Sequence, residues 1–266
     1  MRAFVLVPAW LFVACGQPVD HPDMAASCDP AVMRCMATPP ISMGSNGDGN
    51  EGGGGSQDEE VSTFSGELLS FDDDYFDRGA IFPGAAKVSA TGERGGRVSA
   101  DYTGQGFELA GVLKAPANWF LAVPETGSGL LPTLTALDTR SSGRPLSVGV
   151  ANASVVDGIF LASSGTERSL QRAQIVLTLV DAKQRSVSGV SAKLTAEMTA
   201  YRAAGSWVGV STQNVTDDSG MLFFGNVPAG SAMSTTTITL SGAVTAKIEV
   251  VIQAGAISVV TAEVSR

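Results

Sequence analysis

From about residue 79 to the end, the chain alternates short apolar runs with clusters of Gly, Pro, Asn and Asp. The runs are rich in Val, Thr, Leu and Ile, side chains that suit a pleated, half-buried surface, and the clusters between them are turn formers. This pattern predicts strands at 87–90, 97–102, 107–113, 119–123, 133–138 and 146–150, and a second series at 175–180, 190–198, 206–211, 221–224, 235–240, 244–252 and 257–264. One segment has another rhythm. Val155, Val156, Ile159, Phe160 and Ser163 recur at helical spacing, with Asn152 placed to cap the start and Gly165 to stop the end, which predicts a short helix at 153–164. Strands without interleaved helices exclude a doubly wound α/β fold. The fold class expected is all-β, with two tandem sandwich-type domains at 61–165 and 166–266 that meet at the polar stretch Thr166-Glu167-Arg168-Ser169.

The first residues follow a different pattern. Residues 3–14 are apolar apart from Pro8, and Arg2 is the only charge before Cys15. This run is too short to span a bilayer, which takes about 20 apolar residues. With Leu11, Phe12, Ala14, Cys15 and Gly16 at its end, it resembles a bacterial lipoprotein signal peptide and its lipobox. Phe12 stands where that pattern usually has Leu, and Leu11 is one place early. The resemblance implies removal of residues 1–14, lipidation of Cys15, and a place in the cell envelope, outer membrane included. Two or three acyl chains hold far more firmly than one, since each buried methylene contributes about 0.8 kcal/mol. It also leaves Cys28 and Cys35 as an even pair in an oxidising compartment, where they would form a disulfide around a small loop containing Pro30.

Charge separates the tether from the folded part. The net charge is −9, yet residues 16–77 hold thirteen acidic side chains and one basic, while residues 78–266 hold thirteen acidic and fifteen basic. The nearly neutral folded part lacks the basic face that nucleic-acid binding requires. Residues 44–58 read GSNGDGNEGGGGSQD, seven of the fifteen being glycine and none apolar, so they cannot bury enough surface to offset the entropy of ordering. Residues 15–60 therefore read as a flexible, acidic, lipidated tether with a mean reach of roughly 35–40 Å. Two motifs inside it are discounted. Gly47, Gly49 and Gly52 match a dinucleotide pattern but lack the strand and helix such a site needs. Asp48, Asn50, Gly53 and Glu59 match four positions of a calcium loop, but Gly52 supplies no side-chain oxygen at the fifth. The run Asp72-Asp73-Asp74 with Asp77 reads as a solvated acidic entry to the first domain rather than a calcium site.

The second half carries a further resemblance. Val180-Asp181, Val187, Gly189-Val190, Leu194, Thr216-Asp217 with Gly220-Met221-Leu222-Phe223, Asn226-Val227-Pro228-Ala229-Gly230 and the closing hairpin 250–259 are similar to the carboxypeptidase-regulatory-like domain, also called transthyretin-like or prealbumin-like. The likeness covers 174–266 and departs at the long excursion 199–215 and at Ser231-Ala232-Met233-Ser234. It implies a seven-stranded Greek-key sandwich that serves as a spacer, accessory or binding module, without enzymatic activity. From the residues alone, Gly220 supplies a positive φ, Asp217 accepts backbone hydrogen bonds, Pro228 and Gly230 shape a tight turn, and Leu222 and Phe224 share one strand face opposite Phe223.

Little in the sequence points to catalysis. A single histidine, His21, sits in the tether, which excludes histidine-dependent nucleophile arrangements in the folded part. No metal or cofactor site is expected. Asp101, Glu108, Glu125 and Asp138 are acid–base candidates only by default. Trp119 and Trp207, with Tyr102 and Tyr201, are the residues able to form a stacking surface for a glycan. The function expected is that of a non-enzymatic envelope lipoprotein, structural or binding, with a carbohydrate- or peptidoglycan-binding accessory module as the alternative. The partners implied are the membrane, through the lipid, and envelope proteins or glycans.

Overall fold

The computed structural model describes residues 60–76, 79–141 and 144–265. Cys15, Cys28, Cys35, the glycine-rich linker, the calcium-loop pattern at 48–59 and Asp77 lie outside the described residues. In chain order the first elements are β1 (Val61–Phe71), β2 (Gly79–Ile81), β3 (Ala86–Thr91), β4 (Arg97–Tyr102), β5 (Phe107–Leu113), β6 (Asn118–Pro124), β7 (Leu130–Leu131), β8 (Thr133–Leu137) and β9 (Leu146–Asn152). Helix α1 (Ala153–Ser163) follows. The rest is β10 (Ala173–Val180), β11 (Val190–Lys193), β12 (Met198–Ala203), β13 (Ser206–Gly209), β14 (Met221–Val227), β15 (Ser234–Gly242), β16 (Ala246–Ile252) and β17 (Ile257–Glu263). The fold is all-β with one short α-helix among the described residues. Asn152 caps that helix as expected, its Oδ1 accepting from the Ser154 backbone N–H at 3.0 Å.

Three sheets result. A five-stranded sheet runs β2-β1-β9-β7, with β5 also on β1, and a three-stranded sheet runs β11-β15-β16. A nine-stranded sheet runs β13-β12-β14-β10-β17-β8-β6-β3-β4. This last sheet crosses residue 166. Its two halves meet where β17 pairs in parallel with β8, Ile257 to Thr133 through Val259 to Thr135.

Each half of the chain fills a core of its own. Phe64, Leu68, Val88, Tyr102, Phe120 and Val148 pack between the five-stranded sheet and the β3–β4–β6–β8 part of the large one. Ile175, Leu177, Leu222, Phe224, Ile238 and Val250 pack between the rest of the large sheet and the three-stranded sheet. A third cluster joins them: Phe71 and Phe76 from the first half, Val156, Ile159 and Phe160 from α1, and Val176, Trp207, Met221 and Phe223 from the second. Strands buried on both faces therefore read as continuous apolar runs. In β14, Leu222 and Phe224 enter one core and Phe223 the other, the division expected from the sequence. Gly149 leaves room for the Phe71 ring, which would lie 1.9 Å from an added Cβ.

Several boundaries differ from the expected ones. The sequence pattern gives no strand before residue 87, yet β1 is eleven residues long. Only its inner face is covered at first, by Phe64 and Leu68; from Leu68 on both faces are buried, which blurs the alternation. The run 190–198 is not one strand. It leaves the three-stranded sheet after Lys193 and enters the nine-stranded sheet at Met198. The excursion that follows is the β12–β13 hairpin, turning through Ala204 (φ 48°) and Gly205 (φ 84°). Such successive positive φ angles match the strand twist of a two-residue hairpin loop.

Gly220 (φ 68°) and Asp217, whose Oδ1 accepts from the Ser219 N–H at 2.9 Å, have the expected turn roles. In the next motif the left-handed residue is Asn226 (φ 54°), and Gly230 has no positive φ. Asn226 is also a polar hub. Its Oδ1 accepts from the Ser169 N–H at 2.8 Å, its Nδ2 donates to the Glu167 carbonyl and to Glu197, and its N–H donates to Gln174 Oε1.

Tyr102 provides a pH test of the first core. The side chain is fully buried and its hydroxyl donates to the Phe82 carbonyl at 2.6 Å. Burial pushes its phenol above the ordinary value of 10.0. The folded value exceeds the unfolded one, so the neutral phenol's contribution is intact below pH 10 and is lost as pH rises beyond it. Denaturation midpoints should be flatter up to about pH 10 and fall above it. Tyr102→Phe should make the alkaline fall shallower while costing about 1 kcal/mol near neutrality. An equally steep fall in the variant would assign the alkaline loss to other groups.

Candidate functional site

The four predicted aromatics separate sharply. Tyr102 and Tyr201 are buried, the latter accepting from the Ala192 N–H through its hydroxyl at 3.0 Å. Trp207 is 4% exposed and packs edge-to-face on Phe223, centroids 6.1 Å apart. The two tyrosines and Trp207 are core residues and offer no stacking surface, which corrects the sequence reading for Trp207. Its indole N–H has no partner among the described residues. Trp119 is only partly buried and lines an open groove.

Strand alternation builds this groove. In the β3–β4 hairpin Thr91 faces Arg97 and Ser89 faces Ser99; in the β3–β6 pair Ser89 faces Leu121. Thr91, Arg97, Trp119 and Leu121 therefore share one face of the large sheet, while Val88, Ala90, Phe120 and Ala122 enter the core on the other. Leu121 lines the groove and packs on the buried Leu134 and Ala256, with Trp119, Met233 and Val251 around this small cluster. Residues 231–235, Val251 and Gln253 form the opposite wall, and the cavity measures about 580 Å³. Asn118 fixes the base of Trp119: it is buried, its Nδ2 donates to the carbonyls of Thr91 (3.0 Å) and Leu113 (2.9 Å), and its Oδ1 accepts from the Thr91 N–H (3.2 Å). Trp119 thus projects from rigid backbone.

Arg97 stands at the rim. Its Nη2 donates to Ser89 Oγ at 2.5 Å and its Nη1 contacts Met233 Sδ. Partial burial lowers its pKa from the ordinary value, an effect that leaves a guanidinium charged at any working pH. Sequence reasoning missed Arg97. It lies twenty-two residues from Trp119, and only the strand order β6-β3-β4 brings the two into one groove.

The carboxylates do not converge in the same way. Asp138 is held by Arg140 at 2.5 Å, which lowers its pKa, while Asp101, Glu108 and Glu125 lie on β4, on β5 and just beyond β6. In the acidic run, Asp72 accepts from Ser70 Oγ, Asp73 accepts from the N–H groups of Tyr75 and Phe76, and Asp74 pairs with Arg202 at 2.7 Å. Among the described residues no group of three or more His, Cys, Asp or Glu side chains could hold a metal ion. A second concavity, about 300 Å³, lies between the five-stranded sheet and the β8, β17, β10 and β14 part of the large one. Thr135, Ser147, Thr178, Ser186, Ser219 and Thr261 line it; among the described residues no charged side chain does, and Thr135 Oγ1 is buried without a partner.

No protein-family model matches the chain, and no curated protein does. Among solved structures, the Bacillus anthracis TIE protein is 14% identical over 77% of this chain and 34% of its own, with a TM-score of 0.23. A streptococcal ancillary pilin is 12% identical over 77% of this chain and 69% of its own, also at 0.23. The shaft pilin SpaA from Lactobacillus rhamnosus GG is 11% identical over 78% of this chain and 99% of its own, again at 0.23. The chain spans about a third of the length of the first of these. At such TM-scores none of them assigns this chain a role, and the resemblances to a lipoprotein leader and a carboxypeptidase-regulatory-like domain rest on their own residues.

Proposed function

We propose that the protein is a non-enzymatic module of the cell envelope, tethered by lipid at Cys15, which binds a saccharide of the envelope through the Trp119 groove. The observation that carries this reading is a partly exposed indole, fixed by a fully bonded Asn118, on the wall of a concave site with hydroxyl and carboxamide groups around it. An indole face takes the apolar C–H face of a sugar ring, while Thr91, Ser231, Ser234, Thr235 and Gln253 match its hydroxyls. A mostly apolar concavity with a few convergent polar groups is the usual form of a binding site. The acidic tether between Cys15 and β1 gives the module reach from the lipid surface; Cys15→Ser should move the protein out of the membrane fraction.

Tryptophan emission tests the groove. Without residues 1–14 the chain retains Trp119 and Trp207, and Trp207 is shielded. Muropeptides should shift the emission to the blue and protect it from iodide, and Trp119→Phe should lose both responses. An emission that does not respond in the native protein would count against the site.

A further inference from the structure

We propose, on the basis of the saccharide reading above, that the groove selects an acidic saccharide, one ring stacked on Trp119 and a carboxylate held by Arg97. Among the described residues, Arg97 is the only charged side chain that lines the groove. The guanidinium groups of Arg140, Arg168, Arg172, Arg185 and Arg202 each pair with a carboxylate, whereas no described carboxylate pairs with Arg97. Its two contacts, a serine hydroxyl and a thioether, are neutral. A guanidinium has five N–H donors in a planar fork, so donors remain for an incoming anion, and a carboxylate is the group that fork fits best.

The strand register sets the spacing. Thr91 faces Arg97 across β3–β4, and the β3–β6 register, Ala86 to Pro124 through Ser89 to Leu121, places Thr91 beside Trp119 when carried two residues further. The Asn118 bonds to Thr91 hold the two strands together at that point. Arg97, Thr91 and Trp119 thus form a row across three neighbouring strands. Two strand spacings amount to roughly 9–10 Å. That is about the length of two linked hexoses, so a ring on Trp119 puts the acidic group of its neighbour at Arg97, with the Thr91 hydroxyl between.

Calorimetric titration of the full chain with a short oligogalacturonate and with its carboxyl-reduced counterpart tests this. The two probes differ only in the carboxylates. The acidic oligomer should bind about tenfold or more tightly, a preference that weakens as salt is raised. Arg97→Gln, at an exposed edge-strand position, should bind both probes equally, at the affinity of the neutral one. Equal binding of both probes by the native protein, or a preference that survives Arg97→Gln, would overturn the acidic selectivity and leave the saccharide groove standing. No binding of either probe would overturn the acidic selectivity, while the saccharide groove itself stands or falls on the muropeptide titration.

Discussion

Phe160→Ala should lower the free energy of unfolding by about 3–5 kcal/mol, the range for emptying a large aromatic from a core. Phe160 is 1% exposed and stands at the centre of the cluster that joins the two halves. Its ring meets Phe223 edge-on, centroids 5.6 Å apart, and lies against Gly225, where an added Cβ would come within 2.6 Å of it. Neighbours so tightly placed cannot collapse into the space without shifting β14, which also serves the second core. Urea titration would show the loss as a lower midpoint. A loss below about 1 kcal/mol would mean that α1 is a peripheral cover rather than the plug between the halves.

Asp74→Ala should cost about 3 kcal/mol, the lower end of the range for stranding one member of a buried pair. Arg202 is 3% exposed, and it donates to the Asp74 carboxylate at 2.7 Å, to the Asp74 carbonyl at 3.1 Å and to the Gly205 carbonyl at 3.2 Å. Its guanidinium also stacks on the Tyr75 ring, 3.6 Å from the centroid. Burial pulls the Arg202 pKa down, but Asp74 and Tyr75 more than compensate and hold it above its ordinary value. The side chain of Asp74 is 37% exposed, so water reaches the pair and keeps the loss from the upper end. The cost should come from the stranded charge. Arg202→Met in the same chain should therefore recover part of it, because an apolar side chain of similar volume needs no counter-ion. If the double variant were as unstable as the sum of the two single ones, the pair would not be coupled.

These two sites show where the sequence was informative and where it was not. Strands such as β4 and β5 were legible because turn formers flank them and one face of each is polar. Helix α1 was legible from its 3.6-residue period and from Asn152. The Arg202–Asp74 pair was not, because its members are 128 residues apart and nothing local marks either as buried. The continuous nine-stranded sheet was equally hidden, since it depends on a three-residue parallel pairing between β8 and β17. The tryptophans illustrate the same limit. In Ser206-Trp207-Val208 the sequence does not say which face is covered. Packing of α1 on β13 decides it: an added Cβ on Gly209 would come within 2.5 Å of the Ser163 carbonyl. Trp119 sits in a longer strand, β6, but its face receives only the segment around Met233 together with Val251 and Gln253, and remains partly open. Burial of an aromatic in a short strand is set by what packs on top, which is tertiary information.

Co-sedimentation with insoluble peptidoglycan, comparing the native protein with Trp119→Ala, tests the binding role most directly. The native protein should pellet with the glycan, and Trp119→Ala, shown to be folded by its thermal transition, should stay in the supernatant. If both pellet to the same extent, or neither does, the Trp119 groove is not a saccharide-binding site of this protein.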